Sequence, residues 1–442
     1  MVTMKSCPIE AGRTRNRLVS DFVGLSKTRV DRAGDALARE RYRTDEEYLE
    51  ADDVVDHYRA AHLAPLTETT SEVQAWLDGH GQSYYLAQRL KRKPQILRKL
   101  SRLSVRLSQL QDIGGLRVIV PQNRDVDALM RFLQQRFAAQ THITLGRVTD
   151  YRERGRDRTG YRSLHVLLSR EGQALELQIR SRMQHAWAEN IERTSVIYGY
   201  HLKEEEGDPA VLRYFRLLSD AFYEVEGGRS PEPTLRLNID RQREIAERII
   251  LESPRASVLA SKVDHGVVRA ITSKLQRSAG ISNWVLVFDW NSGSFVSWTE
   301  ASRTSSAAMA TYVENERRFR PEDGFEVVLV GASEPKTLEQ THAHYFGLAR
   351  YDEVLESLDV AVEGLSERLG LGLGERQVLL ALHRRHKWGA GRVSRDTIHN
   401  IYCPTVRDLD GALDNLIAKG LVISKGGYSL NQKAKAEIES LL

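Results

Sequence analysis

Two short segments constrain this chain more than any others. In Tyr161–Leu168, Leu164, Val166 and Leu168 alternate with Tyr161, Ser163 and His165. In Leu175–Arg180, Leu175, Leu177 and Ile179 alternate with Glu176, Gln178 and Arg180. A period of two is the signature of a strand with one buried face. The intervening Arg170-Glu171-Gly172-Gln173 suits a hairpin connection. The pair therefore predicts adjacent strands with one apolar face and one face carrying Tyr, His, Glu, Gln and Arg. A merely wet face would be served as well by Lys, Thr and Glu.

The rest of the chain organises around this hairpin. Further strand runs stand at 114–120 and 143–149, with a helical segment at 123–139 between them and helices at 182–200 and 208–227. Residues 13–80 are charged and helical in pattern, broken near Gly34, Pro65 and Gly79. Residues 84–110 read as one helix, interrupted or begun at Pro94. Gly227-Gly228 with Pro231 and Pro233 marks a break. The predicted division is an N-terminal helical region at 1–80, a central domain at 81–232, a small α/β unit at 237–347, and a linker helix with a terminal domain at 351–442.

The 237–347 unit opens with a helix at 237–252. Strands follow at 283–289, 295–299 and 325–330, and helices at 303–318 and 335–345. Asn291-Ser292-Gly293 is a hairpin signal, and Trp284, Trp290 and Trp298 read as core or partner surface. A linker helix is predicted at 351–369. Beyond it, helices at 374–386, 394–401 and 404–419, a two-stranded wing over 421–430 and a last helix at 431–441 make a winged-helix-like order. Its third helix carries Asp408, Asp410 and Asp414 against Arg407 and Lys419. That charge suits DNA phosphates poorly, so a protein partner is the expectation there and DNA is not.

Composition excludes several classes. The formal net charge of 442 residues is +4, too small for a protein that coats nucleic acid. No run approaches the roughly 20 apolar residues of a membrane span, and the first residues lack the apolar core of a secretory signal. Cys7 and Cys403 are the only cysteines, too few for a disulfide framework or zinc site. A cytoplasmic chain without membrane partners is expected.

Charge is instead concentrated locally. Between Tyr84 and Gln111 stand Arg89, Lys91, Arg92, Lys93, Arg98, Lys99, Arg102 and Arg106, with no Asp or Glu. An ordinary solvated helix face would mix signs; this one suits a polyphosphate. After Pro94, Ile96, Leu100, Leu103, Leu107 and Leu110 mark a buried stripe. Asp112 follows, just before Gly114-Gly115 and the alternating strand Leu116–Val120. A carboxylate there can hold Mg²⁺, which takes one or two carboxylates plus substrate phosphates.

In series, Arg89-x-Lys91 with Ile96 and Lys99, Asp112-Ile113-Gly114-Gly115-Leu116-Arg117, Asp150-Tyr151, Gly160-Tyr161-Arg162-Ser163-Leu164-His165 and Glu176-Leu177-Gln178-Ile179-Arg180 resemble the RelA/SpoT family of (p)ppGpp synthetases. The resemblance covers about residues 80–225. It implies an α+β, nucleotidyltransferase-like mixed sheet with flanking helices, and Mg²⁺-dependent transfer of the β,γ-pyrophosphate of ATP to the 3′-hydroxyl of GDP or GTP. By resemblance, Arg89, Lys91 and Lys99 hold the ATP phosphates, and Arg117 is nucleotide-binding. Asp112 binds the metal. Glu176 helps with the metal or takes the hydroxyl proton. Tyr161 stacks on guanine, and His165, Gln178 and Arg180 order the pocket. Such transfer asks of a protein mainly placement, cations and a base.

The sequence also departs from the family pattern. Thr149 stands where many members have Lys, and the loop 152–159 lacks their Pro-Lys pair, with Arg156 and Arg158 as replacements for that Lys. The six arginines Arg147, Arg152, Arg154, Arg156, Arg158 and Arg162 leave the 3′ end of tRNA as an alternative acceptor. A non-catalytic nucleotide sensor acting through the terminal domain is the other alternative. No His-Asp pair occurs in 1–80, so synthesis without hydrolysis is expected.

Overall fold

A computed structural model of the chain describes residues 25–81, 83–229, 231–253, 281–292, 294–302, 304–333, 337–338, 341–342, 371, 373–403, 406 and 409–441. The linker helix anticipated at 351–369, most of the helix at 335–345, and Cys7, Gly293, Arg407 and Asp408 lie outside them.

The described residues open with three helices, α1 (Lys27–Ala38), α2 (Asp45–Ala60) and α3 (Leu63–Asp78). Thr44 caps α2 by accepting from the Glu47 N–H at 3.2 Å, and three acids fill the first turn, where the helix dipole favours them. Then the path departs from the sequence expectation. Residues 84–110 are not one helix: β1 (Tyr85–Leu90) comes first, and α4 (Lys93–Arg102) starts with Pro94 in its first turn. Tyr85–Leu90 has passable helix formers, but it is flanked on both sides by strands and buries both faces. Tertiary pairing overrides a weak local preference. Because α4 stops at Arg102, Leu103 leaves the apolar stripe and is exposed, while Ile96, Leu100, Leu107 and Leu110 stay buried.

The strands β2 (Gly114–Val120), β3 (Ile143–Asp150), β4 (Leu164–Arg170) and β5 (Gln173–Ser181) follow, with α5 (Asn123–Ala138) between β2 and β3. β4 and β5 form the anticipated hairpin. Its two loop residues, Glu171 and Gly172, have φ of 52° and 78°, the left-handed pair that a tight twisted hairpin needs. β5 then pairs in parallel with β2, placing Glu176 opposite Gly115 and Gln178 opposite Arg117. The helices α6 (Arg182–Tyr198), α7 (Pro209–Glu226) and α8 (Pro233–Leu251) come next.

The remaining strands are β6 (Ser282–Asp289), β7 (Ser294–Ala301) and β8 (Phe325–Ala332), with α9 (Ser305–Arg318) between β7 and β8. The sequence predicts a small α/β unit at 237–347 beside the central domain. Its strands make no sheet of their own: β8 pairs with β1 at Gln88–Gly331 and Arg89–Val330, giving one eight-stranded mixed sheet of order β3-β4-β5-β2-β1-β8-β6-β7. Both faces of the added strands are covered. Trp284, Leu286, Phe288, Val328 and Val330 pack with α6–α8, while Val285, Val287 and Leu329 pack with α1, α2, α4 and α9. Double-sided burial explains why Trp284–Phe288 reads as a continuous apolar run. At the other end of the sheet, Leu116, Val118, Leu164, Val166, Leu177 and Ile179 close against α3 and α5. The opposite face of these central strands carries the polar residues.

Residues 371–441 have a core of their own. Their elements run α10 (Leu373–Arg384), a helical turn over 395–402, α11 (Leu409–Ala418), an antiparallel pair β9 (Val422–Ser424) and β10 (Tyr428–Leu430), and α12 (Lys435–Leu441). No described helix is long and apolar enough to cross a membrane.

Candidate active site

Register decides which side chains meet. Arg89 lies opposite Gly115 on β2, and Gly115 opposite Glu176 on β5. Arg117 lies opposite Gln178, which itself faces His165 on β4. The two glycines before Arg117 have different duties. A Cβ on Gly114 would come within 2.7 Å of Leu175, so glycine there permits core packing. A Cβ on Gly115 would meet only backbone oxygens, at 3.8 and 3.9 Å, so glycine there leaves the floor between Arg89 and Glu176 bare.

Asp112 sits at the entrance to β2. Its Oδ2 accepts from Lys91 Nζ at 2.5 Å and Lys99 Nζ at 3.0 Å. Burial opposes ionisation, but the two ammonium groups hold this carboxyl well below the usual range. Its Oδ1 is buried without a hydrogen-bond partner. A buried carboxylate oxygen with nothing to accept is where a bound cation fits. Among the described residues, no three of His, Cys, Asp and Glu come together as a metal cage. Mg²⁺ bound through substrate phosphates needs only one or two carboxylates.

Glu176 is held from both sides. His165 Nδ1 is 2.9 Å from Oε1, and Gln178 Nε2 donates to Oε2 at 2.6 Å. Burial alone would raise its pKa; the His165 and Gln178 bonds outweigh it and draw it to about 2, against an upward push from Asp112. The two carboxylates therefore sense each other. His165 is itself raised to about 8, burial being outweighed by Tyr161 and Glu176. Arg180 donates to the Tyr161 hydroxyl at 2.5 Å and to Gln178 Oε1 at 2.7 Å, completing a chain Arg180–Tyr161–His165–Glu176. Beside it lies a cationic group short of counter-charge. Arg117 is pushed down to about 9 by burial together with Arg180 and Arg89, with Glu189, at 3.8 Å, and Tyr161 opposing. Arg89 makes no ion pair with a carboxylate among the described residues.

The structure thus gathers Arg89, Lys91, Lys99, Asp112, Arg117, Tyr161, His165, Glu176, Gln178 and Arg180 on and around one sheet face. Two of the expected residues stand in unexpected surroundings. Tyr161, expected to stack on a base, is 5% exposed, and the guanidinium groups of Arg156 and Arg180 lie 4.8 and 4.9 Å from its ring centre. A cation-rich pocket places guanidinium on an aromatic face, and the phenol is committed to His165 and Arg180. Arg158 is exposed; its backbone N–H is tied to Glu205 at 3.0 Å, and its side chain touches none of the clustered polar groups. Of the arginines proposed as an RNA grip, Arg152 is bound by Asp127 and Asp150, and Arg162 by Ser219 and Asp220. Trp187 is core, donating to the Phe215 carbonyl at 2.9 Å.

Sequence reading gave no site role to Tyr151 or Arg59. Tyr151 meets the His165 ring edge-on at 5.2 Å and also has Arg156 over it, at 5.6 Å. Arg59 donates through Nε to the Lys91 carbonyl at 3.3 Å. The Asp150-Tyr151 pair signalled the first; no local pattern signalled the second.

Comparison with known families fits this geometry. Residues 88–203 match the model described as a region found in RelA / SpoT proteins. The match is to that region and not to the whole chain. It holds every clustered residue named above and excludes α1–α3 and β6–β8. Among solved structures, the small alarmone synthetase 2 of Bacillus subtilis is 19% identical, covering 42% of this chain and 97% of that one at a TM-score of 0.31. The small alarmone synthetase 1 of the same organism, bound to its product pppGpp, is 18% identical, covering 46% and 99% at a TM-score of 0.30. A search of curated proteins gives no match.

Proposed function

We propose that this chain is an ATP:nucleotide 3′-pyrophosphotransferase that makes (p)ppGpp from ATP and GDP or GTP. One observation carries the reading: an ionised Asp112, clamped by Lys91 and Lys99 with one oxygen unsatisfied, is electrostatically coupled to a second oriented carboxylate, Glu176. Phosphoryl-type transfer asks for positive charge around the moving phosphates and a group beside the attacking oxygen.

Asp112 and Glu176 would hold Mg²⁺, which when bound with the triphosphate neutralises its charge and favours loss of AMP. Lys91, Lys99 and Arg89 bind the donor phosphates, and Arg117 and Arg180 add charge where the pyrophosphate crosses. Glu176 orients the acceptor's 3′-hydroxyl. A carboxylate held near 2 is a weak base toward a free hydroxyl. It takes the proton late, as the P–O bond forms and the oxygen becomes acidic. His165 and Gln178 fix which lone pairs it presents. The acceptor base enters beside Tyr151 and Tyr161, displacing the partly exposed Arg156 side chain from their rings.

A mononucleotide acceptor is favoured over tRNA because Arg152 and Arg162 are spent on internal ion pairs. Incubation with Mg²⁺ and ATP labelled at the γ-phosphate, offering GDP, GTP and deacylated tRNA separately, tests this. Label is expected on the guanosine nucleotide. Label confined to tRNA would select the other acceptor, and nucleotide binding with no label transferred would leave a sensor.

A further inference from the structure

The matched RelA/SpoT region begins at residue 88 and ends at 203, yet a buried arginine outside it bonds to the main chain of Lys91. Arg59 on α2 is wholly buried. Its Nη1 donates to Asp56 at 2.8 Å and to Glu316 Oε2 at 2.9 Å, and its Nη2 to Glu316 Oε1 at 3.1 Å. Its Nε reaches the Lys91 carbonyl at 3.3 Å, and the guanidinium lies over the Tyr312 ring at 4.9 Å. Glu316 and Tyr312 belong to α9. The Lys91 main chain is thus held from two directions, since its N–H also donates to the Ile113 carbonyl at 2.8 Å. Only the Lys91 side chain is left to reach Asp112.

The next two residues are fixed in the same way. Arg92 pairs with Glu326 of β8, and Lys93 bridges Asp52 at 2.6 Å and Asp56 at 2.8 Å. Acids from α2 and from the added strands therefore take up Arg92 and Lys93, while Lys91 is turned inward. An Arg–carboxylate fork fixes angle as well as distance. A small misplacement of a phosphate-binding group is costly, because binding strength depends on preset geometry.

We propose that Arg59, oriented by Glu316, is a positioning residue for Lys91, so that the β6–β8 extension sets the site's affinity for the triphosphate donor. The proposal rests on the reading of this site as one that binds ATP. It is tested in the full chain by equilibrium binding, with Mg²⁺, of a non-hydrolysable ATP analogue and, separately, of GDP. Arg59→Lys keeps the charge but loses the fork and the Nε bond. It should weaken analogue binding roughly tenfold while leaving GDP binding within about twofold. Glu316→Gln, which loosens the fork without removing it, should give a smaller shift with the same selectivity. Circular dichroism establishes that each variant is folded. Should Arg59→Lys not fold, Glu316→Gln decides.

Loss of both ligands in parallel, or of neither, in a folded variant would mean that Arg59 serves packing alone and would overturn the proposal. The catalytic reading fails separately: wild-type chain that binds the analogue but transfers label to no acceptor removes the reaction and leaves the donor-selective effect to be read. Wild-type chain that does not bind the analogue overturns both.

Discussion

Glu176 has both oxygens engaged before any ligand arrives, by His165 and by Gln178. Glu176→Gln keeps the shape and removes the charge that orients a hydroxyl. Transfer should fall by about 10²-fold or more while nucleotide binding stays within a few-fold, as single-turnover and equilibrium measurements would show. A second residue gives a prediction about stability. His62 is buried at the start of α3, its Nδ1 donating to the Tyr58 carbonyl at 2.8 Å and its Nε2 without a partner. Burial drives its pKa from 6.5 down to about 4. The folded state thus prefers neutral His62, and the unfolded state takes up the proton first. This contribution is whole above pH 6.5 and is lost as pH falls toward 4, up to ~3 kcal/mol. His62→Gln should therefore flatten the fall in Tm between pH 7 and 5. An unchanged slope would show that His62 does not contribute.

At the scale of elements, the hairpin and its two faces were legible because period-two alternation survives in any context. Asp112 before Gly114-Gly115 was legible as a motif. The strand β1 was not, since Tyr85–Leu90 is a strand only because β2 and β8 flank it. The single sheet was not legible either: β1 meets β8 across more than 230 residues of chain, at Gln88–Gly331 and Arg89–Val330, and no local pattern encodes that. The covering of Tyr161 by Arg156 likewise depends on loop conformation rather than spacing. The seam offers its own test. Gln88 donates to Thr67 and to Asn283, both at 2.9 Å, passing over Gly331. A Cβ on Gly331 would come within 2.7 Å of Gln88 Cγ and 2.8 Å of Asn283 Oδ1. Gly331→Ala should cost about 1–3 kcal/mol by overpacking, seen as a lowered denaturation midpoint. A neutral result would mean that the strands meet more loosely than described.

Across the whole molecule, the strands after residue 281 complete the sheet that carries the site. Their residues enter both cores that flank it, Trp284 and Phe288 beside Trp187 and Phe215, and Val285 and Leu329 beside Leu90 and Ile96. A chain ending at 232 would expose β1 as an unpaired edge together with those apolar faces. It should self-associate on size-exclusion chromatography and bind ATP weakly, whereas a chain retaining 1–333 should not. A monomeric 1–232 with undiminished ATP affinity would contradict this dependence.

The proposed reaction moves a pyrophosphoryl group from ATP to a guanosine nucleotide at the site that Asp112 and Glu176 share. The most direct measurement follows γ-labelled ATP with GDP and Mg²⁺, using wild-type chain, Asp112→Asn and Glu176→Gln side by side. Label on the guanosine product from wild-type chain, and from neither variant at comparable rate, is predicted. Label transfer that survives both substitutions, or transfer to no acceptor by wild-type chain that binds both nucleotides, would contradict it.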